Sequence, residues 1–600
     1  MKNRAAALGD FTATPRVLFI SALAIAIGVI ASWVALALLR LIGFFTNLFF
    51  YGRIGSSLVS PAGNHLGWWE PLVPIAGGLI VGLMARYGSE KIRGHGIPEA
   101  IESILINGSR VEPKLAILKP LSAAISIGSG GPFGAEGPII MTGGAFGSMI
   151  AQLFRLSAAE RKTLLVAGAA AGMSATFAAP VAAVLLAVEV LLFEWKPRSL
   201  IPVALASATA GAARRYILGM GPLFPVPAHP AFIGPAGLIG CAFCGILAGG
   251  LAALLTQAVY AAEDAFHKLP IHWMWWPAIG GLIIGLGGLL FPQALGVGYD
   301  TIGALLRGDV VRTVILGVLL VKSSIWALSL GSGTSGGVLA PLLMVGGALG
   351  GIEAGFLPAE GAGFWAMVSM AATLGGTMRA PFTAVIFAVE LTHDINMLLP
   401  LLVAATLSHA FTVLLLKRSI LTEKVARRGF HLSQEYAVDP LEVIYAREVM
   451  RTNVAAFGVE NTVEDLRRIL NRKETPRGQH LYPVLDADRA VLGVVTRKDV
   501  LNAPDGAQGE SLLSISRRNP VTAWTDEPLR VLVYRMVQSG YTRMPVMDRQ
   551  TGKLAGMISL EDMLGARTRT LTEEGKRERV LRLRRPFGRT ETEVVTDTVR

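Results

Sequence analysis

The chain has 600 residues, of which 52% are hydrophobic and 16% are charged, and its mean hydropathy is +0.51. Soluble proteins usually carry about 25% charged residues, so this composition excludes an ordinary soluble protein and indicates one that crosses a membrane several times. The formal net charge is +12, but the basic residues lie where the positive-inside rule expects them, and we predict no nucleic-acid partner.

The apolar segments are long enough to span a bilayer, as in Val17 to Leu39 and Pro235 to Leu255. The first one is too long for a cleavable signal peptide. Basic residues precede it and follow the last apolar segment: Lys2, Arg4, Arg16, Lys417, Arg418, Lys424, Arg427 and Arg428. We therefore expect a multi-pass protein in contact with lipid, with both termini in the cytoplasm, in a bacterial inner membrane.

Two glycine-rich stretches repeat each other. GSGGPFGAEGPIIMTGGAFG begins at Gly128, GSGTSGGVLAPLLMVGGALG begins at Gly331, and 10 of 20 aligned positions are identical. A second pair, AAPVAAVLLAVE and RAPFTAVIFAVE, follows the first at about the same distance. Residues near 80–220 and 280–420 are thus predicted to be two versions of one unit, an arrangement that favours a transport site between the halves.

The glycine-rich stretches predict broken helices whose N-termini point into the membrane. GAEGP, GGVLAP and GHGIPEA each combine glycines with a proline suited to the first turn of a helix. Free amides at such starts favour a small anion. Glu136 stands only in the first copy, where its carboxylate can compete with the anion until it is protonated. The alternative is an interfacial glutamate that caps its own helix.

After residue 430 the sequence becomes polar and contains another duplication. HLYPVLDADRAVLGVVTRKDV and TRMPVMDRQTGKLAGMISLEDM each predict two strands and an Asp at the start of a helix. Earlier helices are predicted at Val463–Leu470 and Leu529–Val537. The basic tail, residues 568–600, is predicted to be flexible.

The motifs GHGIPE, GAEGP and GGVLAP, in this order, resemble those of the CLC family of chloride channels and chloride/proton exchangers, over residues 15–430. Residues 431–567 resemble a tandem pair of CBS domains, at about 445–503 and 514–567. The resemblance implies an all-α membrane domain over residues 1–430, built as two inverted-topology repeats with broken helices, plus a cytoplasmic α/β pair. It also implies a homodimer with one anion pathway per subunit.

The resemblance assigns roles to individual residues. Glu136 matches the gating glutamate, and the amides of Val338 and Leu339 match the pair that holds the central anion. Lys119 matches a buried lysine that makes the pathway more positive, or it extends to the membrane interface. The positions predicted to line the anion site are His95, Gly96, Gly134, Gly137, Val338, Leu339 and Leu421.

Three positions depart from the family pattern. His95 stands where the family usually has a serine donor, and its imidazole either donates to the anion or is turned away. Leu421 stands where a tyrosine closes the inner side of the site. Val190 occupies the position of the inner proton-carrying glutamate, and the neighbouring Glu189 is interpreted as a structural acid near a helix end.

These departures favour a passive, chloride-conducting protein gated by Glu136. The alternatives are a chloride/proton antiporter and an exchanger for another anion such as nitrate or fluoride. No cofactor is required, but CBS pairs can hold ATP or AMP, with a hydroxyl on phosphate and an Asp on the ribose. The matching residues are Thr496, Asp499, Ser559 and Asp562, which also fit plain helix N-caps.

Other classes of function are less well supported. His95 and Glu99 do not form a metalloprotease motif, and no Ser, His and Asp set indicates hydrolysis. Cys241 and Cys244 have C-x-x-C spacing, but no further ligand completes a metal site, and we interpret them as helix-packing residues. A divalent cation transporter would need clustered intramembrane carboxylates. We therefore predict neither an enzyme nor a metal site.

Overall fold

The computed structural model describes residues 14–105, 108–430, 440–472, 475–476, 478–504 and 509–575. These residues form two compact units, one up to Lys424 and one over Val425–Gly575. The first unit is helical, and the second combines short helices with two small sheets. Most of the predicted basic tail, from residue 576 onward, lies outside the described residues.

The first unit is built from helices joined by connections of differing length. They are α1 (Arg16–Tyr51), α2 (Leu72–Tyr87), α3 (Ile97–Leu105), α4 (Leu115–Gly128), α5 (Glu136–Leu153), α6 (Ala158–Phe177), α7 (Pro180–Leu186), α8 (Pro197–Ile217), α9 (Pro235–His267), α10 (Trp276–Leu290), α11 (Tyr299–Arg307), α12 (Arg312–Gly317), α13 (Ser323–Gly331), α14 (Leu339–Glu353), α15 (Phe364–Met378), α16 (Pro381–Thr392), α17 (Leu398–Leu415) and α18 (Ile420–Arg427). Wider π-helical turns extend α7 over Ala187–Leu192 and join α12 to α13 over Val318–Lys322.

Within the described residues, six helical stretches are long and apolar enough to cross a membrane: Arg16–Tyr51, Gly67–Tyr87, Pro235–His267, Trp273–Leu290, Arg312–Gly331 and Ile395–Arg427. Several others are apolar but shorter, among them Pro180–Leu192 and Leu339–Glu353. Short apolar helices inside a membrane protein need neighbours that satisfy their ends, because lipid offers no hydrogen bonds. The unit is thus a polytopic bundle with interrupted helices, as predicted.

The interruptions follow from local sequence. Ala178 and Arg379 take left-handed φ values of 57° and 58°, which end α6 and α15. A proline two residues later then starts α7 and α16, since proline fits the first helical turn. The same feature, a left-handed residue followed two positions later by a proline, therefore interrupts the helices once in each half.

Helices α1 to α8 correspond in order to α9 to α17, with α4 matched by the interrupted pair α12 and α13. A Cβ atom at Gly78 would overlap the carbonyl oxygen of Pro277, and one at Gly281 would overlap that of Pro74. Each glycine therefore faces a backbone carbonyl group of the other half, as a two-fold relation between the halves requires. Glycine at both positions lets α2 and α10 cross in backbone contact.

The second unit contains two similar sheets. Its strands are β1 (Phe457–Gly458), β2 (Leu481–Leu485), β3 (Val491–Thr496), β4 (Arg517–Arg518), β5 (Ala523–Trp524), β6 (Arg543–Met547) and β7 (Leu554–Ser559). The sheet orders are β1-β2-β3-β4 and β5-β6-β7, and in each the first pair is parallel and the second antiparallel. Tyr482 pairs with Val495, and Met544 pairs with Ile558 at the equivalent place.

Short helices cover these sheets. They are α19 (Pro440–Val443), α20 (Ala446–Val449), α21 (Val463–Asn471), α22 (Arg497–Leu501), α23 (Leu512–Ile515), α24 (Leu529–Ser539) and α25 (Leu560–Gly575). The two predicted early helices are confirmed as α21 and α24. The amide and hydroxyl of Thr462 donate to Asp465 at the start of α21, which lowers the pKa of that carboxyl.

The last helix of this unit overlaps the segment predicted to be flexible. That tail was expected from residue 568, and α25 continues to Gly575. Met563 and Ala566 are buried in the apolar core of the second sheet and anchor the helix there. The helix therefore extends beyond the point at which the apolar pattern of the sequence ends.

Candidate functional site

The two glycine-rich copies meet in the middle of the first unit. Gly134 N donates to Gly337 O at 3.1 Å, and Gly337 N donates to Gly134 O at 2.8 Å. Gly94 joins them, because its amide donates to Thr334 O at 2.9 Å and its carbonyl oxygen accepts from Gly336 N at 3.4 Å. All three predicted helix starts therefore converge.

Only glycine fits at the centre of this junction. A Cβ atom at Gly337 would lie 2.6 Å from Gly134 O and 3.0 Å from Glu136 Oε2. One at Gly137 would overlap the carbonyl oxygen of His95. Backbone from three separate segments thus approaches at a distance that no side chain allows.

Helices α5 and α14 begin at this junction. Their first intrahelical hydrogen bonds run from Ile139 N to Ala135 O at 3.0 Å and from Leu342 N to Val338 O at 3.2 Å. The amides before these donors, including that of Leu339, have no intrahelical acceptor and carry the positive end of the helix dipole. Val338 and Leu339 are fully buried, so these amides lie inside the protein.

Glu136 lies between the two helix starts. Its side chain is 0% exposed, and neither carboxylate oxygen has a hydrogen-bond partner among the described residues. The carboxylate packs against the Cα of Gly134, where a side chain would overlap it, and the amides of Glu136 and Ala340 are those that act on its charge. It is buried rather than interfacial, and no hydrogen bond within the described part holds it in place.

The third helix start is occupied. Gly96 N donates to Glu99 Oε2 at 3.0 Å, and Glu99 Oε1 pairs with Lys424 Nζ at 2.8 Å. The Gly96 amide, predicted to face the anion, therefore already has an acceptor in α3. His95 is buried, and its carbonyl contacts Gly137.

Lys119 is buried and does not extend to the membrane interface. Its Nζ donates to Ile92 O at 2.8 Å and to Gly94 O at 2.7 Å. The ammonium thus holds the loop that leads into α3. A positive charge beside the Gly94–Gly96 backbone makes the surroundings of the junction more favourable to an anion.

The structure adds a second lysine that sequence reasoning missed. Lys322 is equally buried, and its Nζ donates to Ala294 O at 3.1 Å and to Gly296 O at 2.9 Å. The offset that aligns Gly128 with Gly331 also aligns Lys119 with Lys322. Extending the repeat by nine positions towards the N-terminus would have found it.

Tyr299 is a second missed residue. It begins α11, and its hydroxyl is buried without a hydrogen-bond partner in the described part of the chain. The sequence carries only a weak signal for this residue, because the GVG loop before Tyr299 shares only its two glycines with the GHG loop before α3.

Leu421 and Val190 are both 0% exposed. Leu421 lies in α18, and Val190 lies in the π-helical extension of α7. Neither can donate or carry a proton. Their predicted roles in the pathway rest on the family resemblance alone.

Glu189 and Glu390 each accept hydrogen bonds at the start of a helix in the other half of the first unit. Glu189 accepts from Thr383 N at 2.8 Å and from the Thr383 hydroxyl at 2.6 Å, at the start of α16. Glu390 accepts from Val181 N at 3.0 Å and from Ala182 N at 2.8 Å, at the start of α7. Each acid caps the helix of the other half, which agrees with the interpretation of Glu189 as structural.

In the second unit, Thr496 and Ser559 begin helices in the same way. The Asp499 carboxylate accepts from Thr496 N at 2.9 Å, and that of Asp562 accepts from Ser559 N at 3.0 Å. Asp562 also pairs with Arg451 Nε at 2.8 Å. A cleft on that side is lined by residues that include Arg451, Arg543, His480, Ser559 and Asp562.

Two sequence-related halves whose broken helices meet at one buried glutamate define a membrane transport protein. The voltage-gated chloride channel profile matches residues 77–413, and the CBS domain profile matches 446–506 and 513–569. A ClcB-like chloride channel protein of Ralstonia nicotianae is 30% identical over 352 residues, covering 56% of this chain and 81% of that protein. The chain belongs to the voltage-gated chloride channel (CLC) family and carries a C-terminal CBS pair.

Solved structures agree on the fold. A slow cyanobacterial Cl⁻/H⁺ antiporter gives a TM-score of 0.62 at 21% identity, covering 70% of this chain and 99% of its own. A eukaryotic CLC transporter gives 0.60 at 20% identity, covering 91% and 98%. The family and fold class predicted from the sequence are confirmed. The family is one of channels and transporters, and it makes anion transport across a membrane the function of this chain.

Proposed function

We propose that the chain carries chloride, or another small monovalent anion, past the N-termini of α5 and α14, with Glu136 as the gate. The observation that carries this proposal is the Glu136 carboxylate, buried beside the free amides of both helices and without a hydrogen-bond partner in the described residues. The carboxylate and a permeant anion compete for the same positive helix ends. Protonation removes the charge of Glu136 and leaves these amides to the anion.

We infer that transport is channel-like. The position expected to carry protons from the inner side is Val190, which is apolar and buried. The adjacent Glu189 already accepts three hydrogen bonds from Phe382 and Thr383. A proton relay through Glu189 would have to break this cap.

Chloride/proton exchange is the second candidate. The structural neighbour described as a Cl⁻/H⁺ antiporter favours it, and water could relay protons where side chains do not. Anion preference is also open to test, because His95 and Leu421 replace the usual hydroxyl donors. Nitrate or fluoride would then replace chloride as the carried ion.

Purified full-length protein in liposomes tests the proposal. With an outward chloride gradient and the membrane potential clamped by a potassium ionophore, we expect rapid chloride loss and no proton movement against its own gradient. Proton uptake tied to chloride loss would establish exchange instead. Replacing chloride by nitrate or fluoride in the same assay ranks the anions.

The role of Glu136 is tested by Glu136→Gln. We expect chloride loss that no longer depends on pH, because the amide cannot be ionised. Glu353→Gln is the matched control, since Glu353 is also fully buried and lies at the opposite end of α14. If Glu136→Gln keeps the pH dependence of the unmodified protein, Glu136 is not the gate.

We also propose that the second unit binds an adenine nucleotide beside Ser559 and Asp562. Arg451, Arg543 and His480 line this cleft and can attract phosphate, and the ribose hydroxyls would displace Arg451 from Asp562. Titration calorimetry of the full chain with ATP and AMP should give binding that Asp562→Asn weakens and Asp499→Asn leaves unchanged. The reverse pattern would assign the other half of the pair.

We propose a homodimer, as the family resemblance implies, with both termini in the cytoplasm. Val181 and Phe382 lie in the first turns of α7 and α16, and their side chains are 54% and 56% exposed. A second subunit could cover these apolar side chains. The mass of the detergent-solubilised protein, and labelling of cysteines placed near the termini, test these two points.

A further inference from the structure

The carboxylate of Glu99 bridges two positive groups. One oxygen accepts from Gly96 N at 3.0 Å, and the other lies 2.8 Å from Lys424 Nζ. The Glu99 side chain is 2% exposed, and that of Lys424 is 16% exposed. Inside the protein, the two oxygens therefore face different donors, one at the start of α3 and one on α18.

The Gly96 end of this bridge adjoins the junction. A Cβ atom at Gly96 would lie 2.7 Å from Gly137 O, in the first turn of α5. Gly137 also borders the second half, because a Cβ atom at Gly337 would lie 2.9 Å from Gly137 N. Gly137 therefore lies between the start of α3 and the glycine that precedes α14, and it follows Glu136 directly in the chain.

The Lys424 end of the bridge packs against Gly94. A Cβ atom at Gly94 would overlap Lys424 Nζ and would lie 3.8 Å from Glu99 Oε1. Gly94 has a φ of 80°, which glycine adopts without strain. Its carbonyl oxygen also accepts from Lys119 Nζ at 2.7 Å. The ion pair thus lies against the backbone that hydrogen-bonds α3 to the second half.

Positive charge is in excess around this loop. Lys119 and Lys424 provide two ammonium groups, whereas Glu99 provides one carboxylate, beside the positive end of α3. Arg93, which precedes the loop, pairs with Glu90 at 3.1 Å. Two cations and a helix start against one carboxylate favour a further small anion at this place.

The second half has no equivalent carboxylate. When GHGIPE, which begins at Gly94, is aligned with GVGYDT, which begins at Gly296, Thr301 stands opposite Glu99. Glu136 likewise stands opposite a residue without charge, Leu339. In both aligned pairs of helix starts, the copy in the first half alone carries an acid that can occupy the amides.

We propose that Glu99 is a second competitor of the permeant anion, at the start of α3, and that Lys424 is its positioning residue. In the observed arrangement the carboxylate occupies the Gly96 amide. When an anion arrives, both carboxylate oxygens turn to the Lys424 ammonium, and the amide passes to the anion. This inference rests on the proposed function of the junction. The exchange moves no proton, in contrast to the gating by Glu136.

Glu99→Gln keeps the shape of the side chain and removes its charge. Calorimetry of the full-length protein with sodium chloride should then give about tenfold tighter binding, because a neutral amide competes less well for Gly96 N. Lys424→Met should weaken binding about tenfold, because Glu99 loses the ammonium that draws it away from Gly96. Lys417→Met removes an exposed lysine just before α18 and should bind chloride like the unmodified protein.

The double variant tests whether Lys424 acts through Glu99, and it leaves no carboxylate without its ammonium if Lys424→Met alone fails to fold. In a Glu99→Gln background, adding Lys424→Met should weaken chloride binding by at most about threefold. A tenfold loss in that background would mean that Lys424 acts on the anion directly, and would overturn its positioning role.

The pH dependence of flux separates this inference from the proposed function. In the liposome assay, Glu99→Gln should keep the pH dependence of the unmodified protein, because Glu136 is still present. Unchanged or weaker chloride binding by Glu99→Gln overturns the inference and leaves the gate at Glu136 standing. If Glu136→Gln keeps the normal pH dependence, the proposed function fails instead.

Discussion

The close approach of the two halves can be tested by one methyl group. Gly337→Ala would place a Cβ atom 2.6 Å from Gly134 O and 2.9 Å from Gly137 N. Ordinary contacts need about 3.4 Å or more, so the backbone segments must move apart by roughly 0.5–0.8 Å. Both neighbouring atoms belong to backbone, and no flexible side chain can absorb this shift.

The cost can be estimated from what the shift breaks. Gly134 and Gly337 exchange two backbone hydrogen bonds, of 3.1 Å and 2.8 Å. A buried group left without its partner costs about 1–3 kcal/mol, so losing both bonds costs about 2–6 kcal/mol. The free amides of Val338 and Leu339 follow directly in the chain and would move with Gly337. We expect chloride flux to fall more than tenfold.

The matched control is Gly347→Ala, in α14, the helix that follows Gly337. There the nearest atom, Leu305 Cδ1, would lie 3.5 Å from the new Cβ atom, an ordinary contact. Chloride efflux from liposomes and chloride binding by calorimetry measure both variants at equal amounts of folded protein. If Gly337→Ala transports like Gly347→Ala, the backbone contact is not what shapes the site.

Further predictions concern buried polar groups. Lys322→Met frees two carbonyl oxygens and should lower chloride affinity about tenfold in calorimetry; unchanged affinity would rule out a role in the site. Glu390→Ala removes the cap of α7 and should lower the free energy of unfolding by about 1–2 kcal/mol, measured in urea titrations followed by tryptophan fluorescence. Glu390→Gln should have a smaller effect. Equal stability of Glu390→Ala and the unmodified protein would contradict the cap. His229 Nδ1 lies 2.6 Å from Asp394 Oδ2 with both side chains buried, so His229→Phe should cost about 1–3 kcal/mol in the same titrations, because it leaves a buried carboxylate oxygen without this partner. Asp394→Asn keeps a hydrogen-bonding side chain and should cost less, and unchanged stability of His229→Phe would contradict a buried hydrogen bond.

Much of the fold could be predicted from the sequence, because the internal repeat and the glycine-rich motifs are evident in it. The alignment of the two glycine-rich stretches predicted that Gly134 and Gly337 belong to equivalent segments, and the structure joins them by hydrogen bonds. The helix starts at the GAEGP and GGVLAP motifs followed from proline chemistry. Such features depend on local backbone geometry, which a short stretch of sequence encodes.

The rest of the site depends on contacts between distant residues. Nothing in the local pattern of Tyr299 reveals that its hydroxyl is buried, and Lys322 resembles any lysine at the end of an apolar segment. Gly96 carries the right motif, yet its amide is taken by Glu99, because a carboxylate three residues into a helix can turn back to its start. Spacing cannot distinguish a free donor from a satisfied one.

The helix caps that Glu189 and Glu390 form between the two halves have a consequence for the synthesis of the protein. The amides of Val181 and Ala182 donate to the Glu390 carboxylate, and 208 residues separate Ala182 from that acid. A ribosome adds about 5–20 residues per second, so the first half waits roughly 10–40 s before this helix end is satisfied. A truncated chain that stops after the first half therefore never completes it, and two separately synthesised halves should mature only when they meet.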